Sequence, residues 1–298
     1  MLSSLHAHLV CLALVAIDLA ARAWRIQWIL AGLRVPVSFF DAFTLNVAGD
    51  AASAVTPLRV AGEPARLAGM AHAQVPVVAG LVAVVIEIVA MWPVVALAAG
   101  GLALAYAPAW WRSAEPQLAH TVRAAWPWVL AIAAVSVATW WGARRFSPRA
   151  SHLVRRGMRR ALAYARRMPA WPLAACAPLT LVSLGARVAV LPVLALTLPA
   201  PPALGPLAFA SFTLVYGQLL LPTPSGAGVV ELGFLGGAVG DLGGHDAAIL
   251  FHWRLYTTII PTVIGVVLAL RVYGRAALVA ILRGRNVAPA AGAVPERD

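Results

Sequence analysis

Apolar residues run through this chain in blocks too long for strands and too unbroken for amphipathic surface helices. A bilayer hydrocarbon core of roughly 30 Å takes about 20 mostly apolar residues as an α-helix. Six blocks predict such spans: Leu5 to Arg22, Val75 to Trp92, Pro93 to Ala107, Trp126 to Trp141, Pro172 to Leu198 and Ala248 to Leu270. Phe40 to Met70 and Leu204 to Val239 are also apolar on average but are interrupted. The first contains Asn46, Asp50 and "TPLRVAGEP" (Thr56 to Pro64), and the second contains "PTPSGAG" (Pro222 to Gly228). Proline removes a backbone donor and stops a helix, and glycine permits the tight turn that follows. Each region therefore predicts a hairpin that dips into the bilayer and returns, its broken backbone satisfied by protein or by a water-filled cavity.

Composition sharpens this pattern. Of 298 residues, 61% are hydrophobic and 11% charged, which predicts an all-α polytopic membrane protein of about six spans plus two re-entrant hairpins. The net charge of +12 comes entirely from arginine, because the chain contains no lysine. The cations flank lipid-length segments instead of decorating a soluble fold, so no nucleic-acid partner is expected. Arg144 to Arg167 is dense in arginine and free of acid, which places it in the cytoplasm by the positive-inside bias, together with the tail carrying Arg271, Arg275, Arg283 and Arg285. An even number of crossings must separate these two segments, yet three apolar regions lie between them, so Leu204 to Val239 is read as re-entrant.

The same treatment of Phe40 to Met70 puts both termini inside and leaves Arg22, Arg25 and Arg34 outside, against the bias. A broken full crossing with the N-terminus outside is the alternative, and the long basic loop favours the first. The first apolar run holds Asp18 and lacks a clean cleavage site, so it reads as a retained helix in a bacterial-type inner membrane.

The interruptions repeat. Thr56 and Thr223 each open a "TP" dipeptide, Glu63 and Glu231 follow them, Glu87 and Arg254 lie in the next span, and Asp18 and Arg187 lie in the span before. All four pairs are separated by nearly the same interval. Two internal repeats of span, hairpin and span are therefore expected over about 5–92 and 171–272, with inserted spans at 93–141 and the basic loop at 143–168. Together they make a single membrane domain over 1–285, followed by a flexible tail at 286–298. Opposite signs at equivalent positions suggest that the halves meet as ion pairs, since an unpaired charge in a bilayer costs about 2.5 to 3.5 kcal/mol on insertion scales.

"TPLRVAGEPARL" (Thr56 to Leu67), "VVIEIV" (Val84 to Val89), "LPTPSGAGVVELGF" (Leu221 to Phe234) and "RLYTTIIPTVIG" (Arg254 to Gly265) resemble the lysylphosphatidylglycerol synthase transmembrane-region family, a flippase-like domain. The resemblance covers nearly the whole chain to Leu270. It implies a multi-span protein that moves or handles amphiphilic lipids, here without the soluble aminoacyl-transferring domain that follows in some members. Many relatives read closer to PxRxGE in the first hairpin, so carry-over is firmer onto Gly62, Glu63 and Arg66 than onto Arg59.

The candidate substrate-binding residues follow from the breaks. Gly226 and Gly228 allow another group to approach the backbone beside Ser225. Val229 to Gly240 is expected to be a short helix whose N-terminus favours an anion, with Glu231 in its first turn. Arg254, with Arg187 or Arg66, is expected to receive a lipid phosphate, because arginine binds phosphate with a planar fork and stays charged when buried. Glu231 and Glu63 then hold the arginines in place or exchange protons, or Glu231 simply caps the half-helix and pairs with Arg254. Glu87 reads as an assembly ion pair, a titrating group or a partner for a cationic headgroup, and Asn46 and Asp50 as lining residues of the first hairpin or as a polar face turned to water.

The dispersed histidines, together with Cys11 and Cys176, form no ligand pattern, so neither a metal nor a cofactor is expected. Without lysine no phosphate-loop motif exists. The expected function is translocation or presentation of an anionic envelope lipid. A membrane-embedded lipid transferase and a non-catalytic partner of an envelope-lipid synthesis enzyme stand as the alternatives.

Overall fold

A computed structural model describes residues 4–56, 59–108, 164, 168–218, 223–234, 242 and 244–282. The expected span Trp126 to Trp141, the arginine-rich loop up to Arg167 and the tail at 286–298 lie outside the described residues.

Helix α1 (Ser4–Gly32) leads into α2 (Phe39–Val55), which is capped by Ser38 Oγ accepting from the Asp41 amide at 3.0 Å. After the break comes α3 (Gly62–His72) and then α4 (Val77–Pro108). The second half begins with α5 (Ala170–Ala195) and α6 (Leu204–Gly217). A single turn at Pro224–Gly226 precedes the short α7 (Val229–Gly233). Finally α8 (Asp246–Arg254) runs through a π turn, Leu255–Ile259, into α9 (Ile260–Leu282). Among the described residues α1, α4, α5 and the α8–α9 rod are long and apolar enough to cross a membrane.

Two expectations change. The spans predicted on either side of Pro93 are one 32-residue helix. Proline forfeits one internal hydrogen bond, but a loop needs polar or glycine residues to leave the bilayer, and "MWPVV" (Met91 to Val95) has none. In addition, α1 continues ten residues past Arg22 to Gly32, drawing Arg22 and Arg25 into the helical body.

Along its length α1 lies antiparallel to α5. Cys11 reaches Val190, Asp18 meets Ser183 and Arg187, Arg25 meets Thr180, and Gly32 abuts Pro172. The first hairpin, α2–α3, begins where α1 ends, and the second, α6–α7, begins where α5 ends, so the two enter from opposite faces. Within the first, Gly62 lies against Ser53, Gly49 against Arg66 and Gly69 against Leu45, a descending antiparallel register. Its helices of 17 and 11 residues are about 25 and 16 Å long, short of the hydrocarbon thickness. The hairpins meet at their breaks, where Ser225 Oγ donates to the Ala54 carbonyl at 3.2 Å.

Two apolar cores mark the two faces. Ile26, Ile29, Leu33, Val75 and Ala79 pack together at one end, and Cys11, Leu194, Leu198, Leu207 and Leu242 at the other. Ser4 starts α1 at the second face, where His8 bonds Tyr256 at 2.9 Å. Tyr273 lies at the first face, its ring 5.1 Å from that of His72. Ser4 and Tyr273 thus lie at opposite ends of the helix bundle. Arg34 then shares a face with Met168, the described residue next to the arginine-rich stretch.

Candidate functional site

Three charged clusters occupy the interior where the hairpins pass the long helices. The first joins α1, α3 and α4. Glu87, only 3% exposed on α4, accepts from Arg25 Nε and Nη2 at 2.9 and 2.8 Å. Its other oxygen is held by Arg66 Nη2, and Arg66 Nη1 bonds the half-exposed Glu63 at 3.1 Å. Arg25 also donates to Thr180 at 3.3 Å, tying α5 to the cluster. Burying ions is costly, and the cost is offset only when each charge is paired and its remaining donors are used; here each carboxylate oxygen of Glu87 has its own arginine.

The second cluster is at mid-length on α1. Asp18, Arg22 and Arg25 recur at spacings of four and three, so they share one stripe of the helix. Asp18 accepts from Ser183 Oγ at 2.5 Å and from Arg187 Nε at 2.8 Å. Arg22 forks onto both oxygens of Asp50 in α2 at 2.9 and 2.6 Å and lies 3.4 Å from Asp18. Asn46 donates to the Arg22 and Ala42 carbonyls at 3.2 and 3.0 Å; it braces α2 against α1. Arg59, at the break between α2 and α3, has φ of 56°. A small cleft opens beside this cluster, lined by Leu14, Asp18, Arg187, Tyr256 and Pro261.

The third cluster answers why an acid follows the second break. Arg254 Nε donates to Glu231 Oε1 at 2.8 Å, and Nη2 lies 2.6 Å from that oxygen, within ion-pair distance though off the hydrogen-bond line. Nη1 donates to the Ser225 carbonyl at 2.9 Å, and Glu231 Oε2 accepts from the Gly228 amide at 2.6 Å. Gly228 has φ of 85°, a conformation that favours glycine. Arg254 and Glu231 thus stitch the turn at Ser225, Gly226 and Gly228, whose backbone would otherwise be unsatisfied at that depth.

The expected site residues are therefore distributed. Glu63, Arg66 and Glu87 are in the first cluster, Asn46 and Arg187 in the second, and Ser225, Gly226, Gly228, Glu231 and Arg254 in the third, while Gly62 packs on Ser53 within the first hairpin and Arg59 sits at its break. Asp18 and Arg187, expected at equivalent positions, form a direct ion pair; Glu87 and Arg254 each pair within their own half. Asp50, expected with Asn46 to line the first hairpin, is paired with Arg22; Arg22 and Arg25 read as the flank of a span, and the available signal was their helical spacing from Asp18. Among the described residues no group of three or more metal-ligand side chains gathers.

The family model described as "Lysylphosphatidylglycerol synthase TM region" matches residues 1–265. Searches of the curated proteins and of the solved structures returned no match.

Proposed function

Because the chain belongs to the lysylphosphatidylglycerol synthase transmembrane-region family, a multi-pass membrane family of envelope-lipid biology, we propose that it translocates or presents an anionic amphiphilic lipid. The observation that carries this reading is the meeting of two broken hairpins from opposite faces beside a charged seam at mid-length of α1. A lipid headgroup needs polar partners at that depth while its chains stay in hydrocarbon, and such a seam supplies them without a nucleotide-driven step. Arg187 is the most accessible of the paired interior arginines, with 26% of its side chain exposed, and it lines the cleft. The carboxylates that a group-transfer reaction would use as bases, Glu63, Glu87 and Glu231, are each engaged by arginine, which favours transport over transfer. A bacterial inner membrane with the arginine-rich stretch in the cytoplasm completes the reading.

The test is movement of fluorescent phosphatidylglycerol between leaflets of proteoliposomes, read by quenching with a membrane-impermeant reductant. Wild-type protein should accelerate exchange severalfold over protein-free vesicles, and Arg187→Ala should remove most of that gain. Equal rates with and without protein would overturn the proposal.

A further inference from the structure

A line of proton-carrying groups joins Asp18 to the second face. His8, Cys11, Val15 and Asp18 recur along α1 at spacings of three, four and three, so they form one stripe of the helix. At its outer end the half-buried His8 bonds the Tyr256 hydroxyl through Nδ1 at 2.9 Å. The His8 ring also lies 4.9 Å from that of His252, on α8. Tyr256 belongs to the π turn, an irregularity that recurs at functional sites, and with Thr257 it lines the small cleft whose walls include Asp18 and Arg187. From His8 to Asp18 is about 15 Å of helix, half of the roughly 30 Å hydrocarbon core.

Beyond Asp18 the line stops. The next charged groups on the stripe are Arg22 and Arg25, and a guanidinium does not release its proton in a protein. Their carboxylate partners, Asp50 and Glu87, are held by them. The remaining ionisable groups of the packed elements stand aside from the line. Cys11 turns its thiol to the Val190 carbonyl, His6 and Asp246 are at the outer ends of α1 and α8, and Tyr216 of α6 packs on the apolar core.

We infer that His252, His8 and Tyr256 conduct protons from the second face to Asp18, so that loading of the anionic lipid is coupled to binding of one proton. This rests on the proposed lipid-handling role and names its coupling ion. Imidazole exchanges protons near neutral pH, a hydroxyl accepts one on a lone pair while releasing its own, and water entering the cleft bridges Tyr256 to the carboxylate. The proton adds to Asp18 Oδ2, the oxygen that accepts from Arg187 Nε at 2.8 Å, while Oδ1 keeps Ser183. The ion pair to Arg187 breaks, the guanidinium keeps its charge, and its freed edge takes the headgroup oxygen. One proton thus enters with one negative charge. When the lipid departs, Arg187 recovers the carboxylate and the proton is released.

Proteoliposomes carrying fluorescent phosphatidylglycerol and a pH-sensitive dye in the lumen test this. Stepping the outside from about pH 7.5 to about pH 6, a window in which imidazole titrates, should speed wild-type leaflet exchange about threefold, through the molecules whose second face points outward. The lumen should acidify several times faster than in protein-free vesicles, because each inward passage delivers a proton. His8→Gln, outside the seam, should keep exchange at equal pH and lose both responses to the step. Tyr256→Phe, which removes only the hydroxyl, should lose them too.

A wild type that ignores the step, or variants that respond as wild type does, would overturn the inference. If leaflet exchange persists without any response, the relay fails and the transport reading stands. Acidification that depends on His8 and Tyr256 without leaflet exchange supports the relay and overturns transport alone.

Discussion

Glu87 shows how much one side chain carries here. Two arginines from different helices converge on its two oxygens, so neutralising it leaves Arg25, itself 5% exposed, without its one carboxylate partner among the described residues. Glu87→Gln should destabilise the protein by about 3 to 5 kcal/mol, the range found when one member of a buried pair is removed. Glu63→Gln, at a half-exposed acid, should cost no more than about 1 kcal/mol. Thermal melting of both variants in one detergent measures the difference, and equal losses would show that burial does not set the energetics of this cluster. Glu87 was legible in the sequence as an acid amid "AVVIEIVAM", whereas its partners were not. Arg25 comes from 62 residues upstream, and no local pattern links the two.

Among the elements, the contact between α2 and α9 depends on a missing side chain. A Cβ on Gly265 would collide with the Val47 carbonyl oxygen, and that oxygen cannot yield without moving α2. Gly265→Ala should therefore lose about 1 to 3 kcal/mol by overpacking. Gly185→Ala on α5, where nothing lies within 4 Å, should be neutral or gain about 0.5 to 1 kcal/mol through helix propensity. Protease resistance and thermal melting of the pair check the contrast. At the second break, Gly228→Ala forces an L-residue into a left-handed conformation and should cost about 1 to 2 kcal/mol.

Sequence rules succeeded at both breaks because proline and glycine act locally. They failed at Pro93, where the residue that stops a helix in water is tolerated in an apolar rod that offers no polar way out.

For the whole molecule, the prediction concerns sidedness. With Ser4 and Tyr273 at opposite faces, alkaline phosphatase fused to the N-terminus and a fluorescent protein fused to the C-terminus should both be active. Two fluorescent fusions at the termini would place both ends in the cytoplasm and overturn the arrangement. Leu33 and Val35, on either side of Arg34, pack in the same apolar cluster as Met168.

Hydrophobic block length and arginine placement determined by themselves that this is an all-helical, multi-pass membrane protein with two interrupted hairpins. Those properties follow from the bilayer's thickness and its cost for bare backbone, which act on each segment separately. The tertiary structure decided which charges meet. Asp18, Arg22, Asp50 and Arg187 become one seam only when α1, α2 and α5 pack, because the pairs come from segments far apart in the chain.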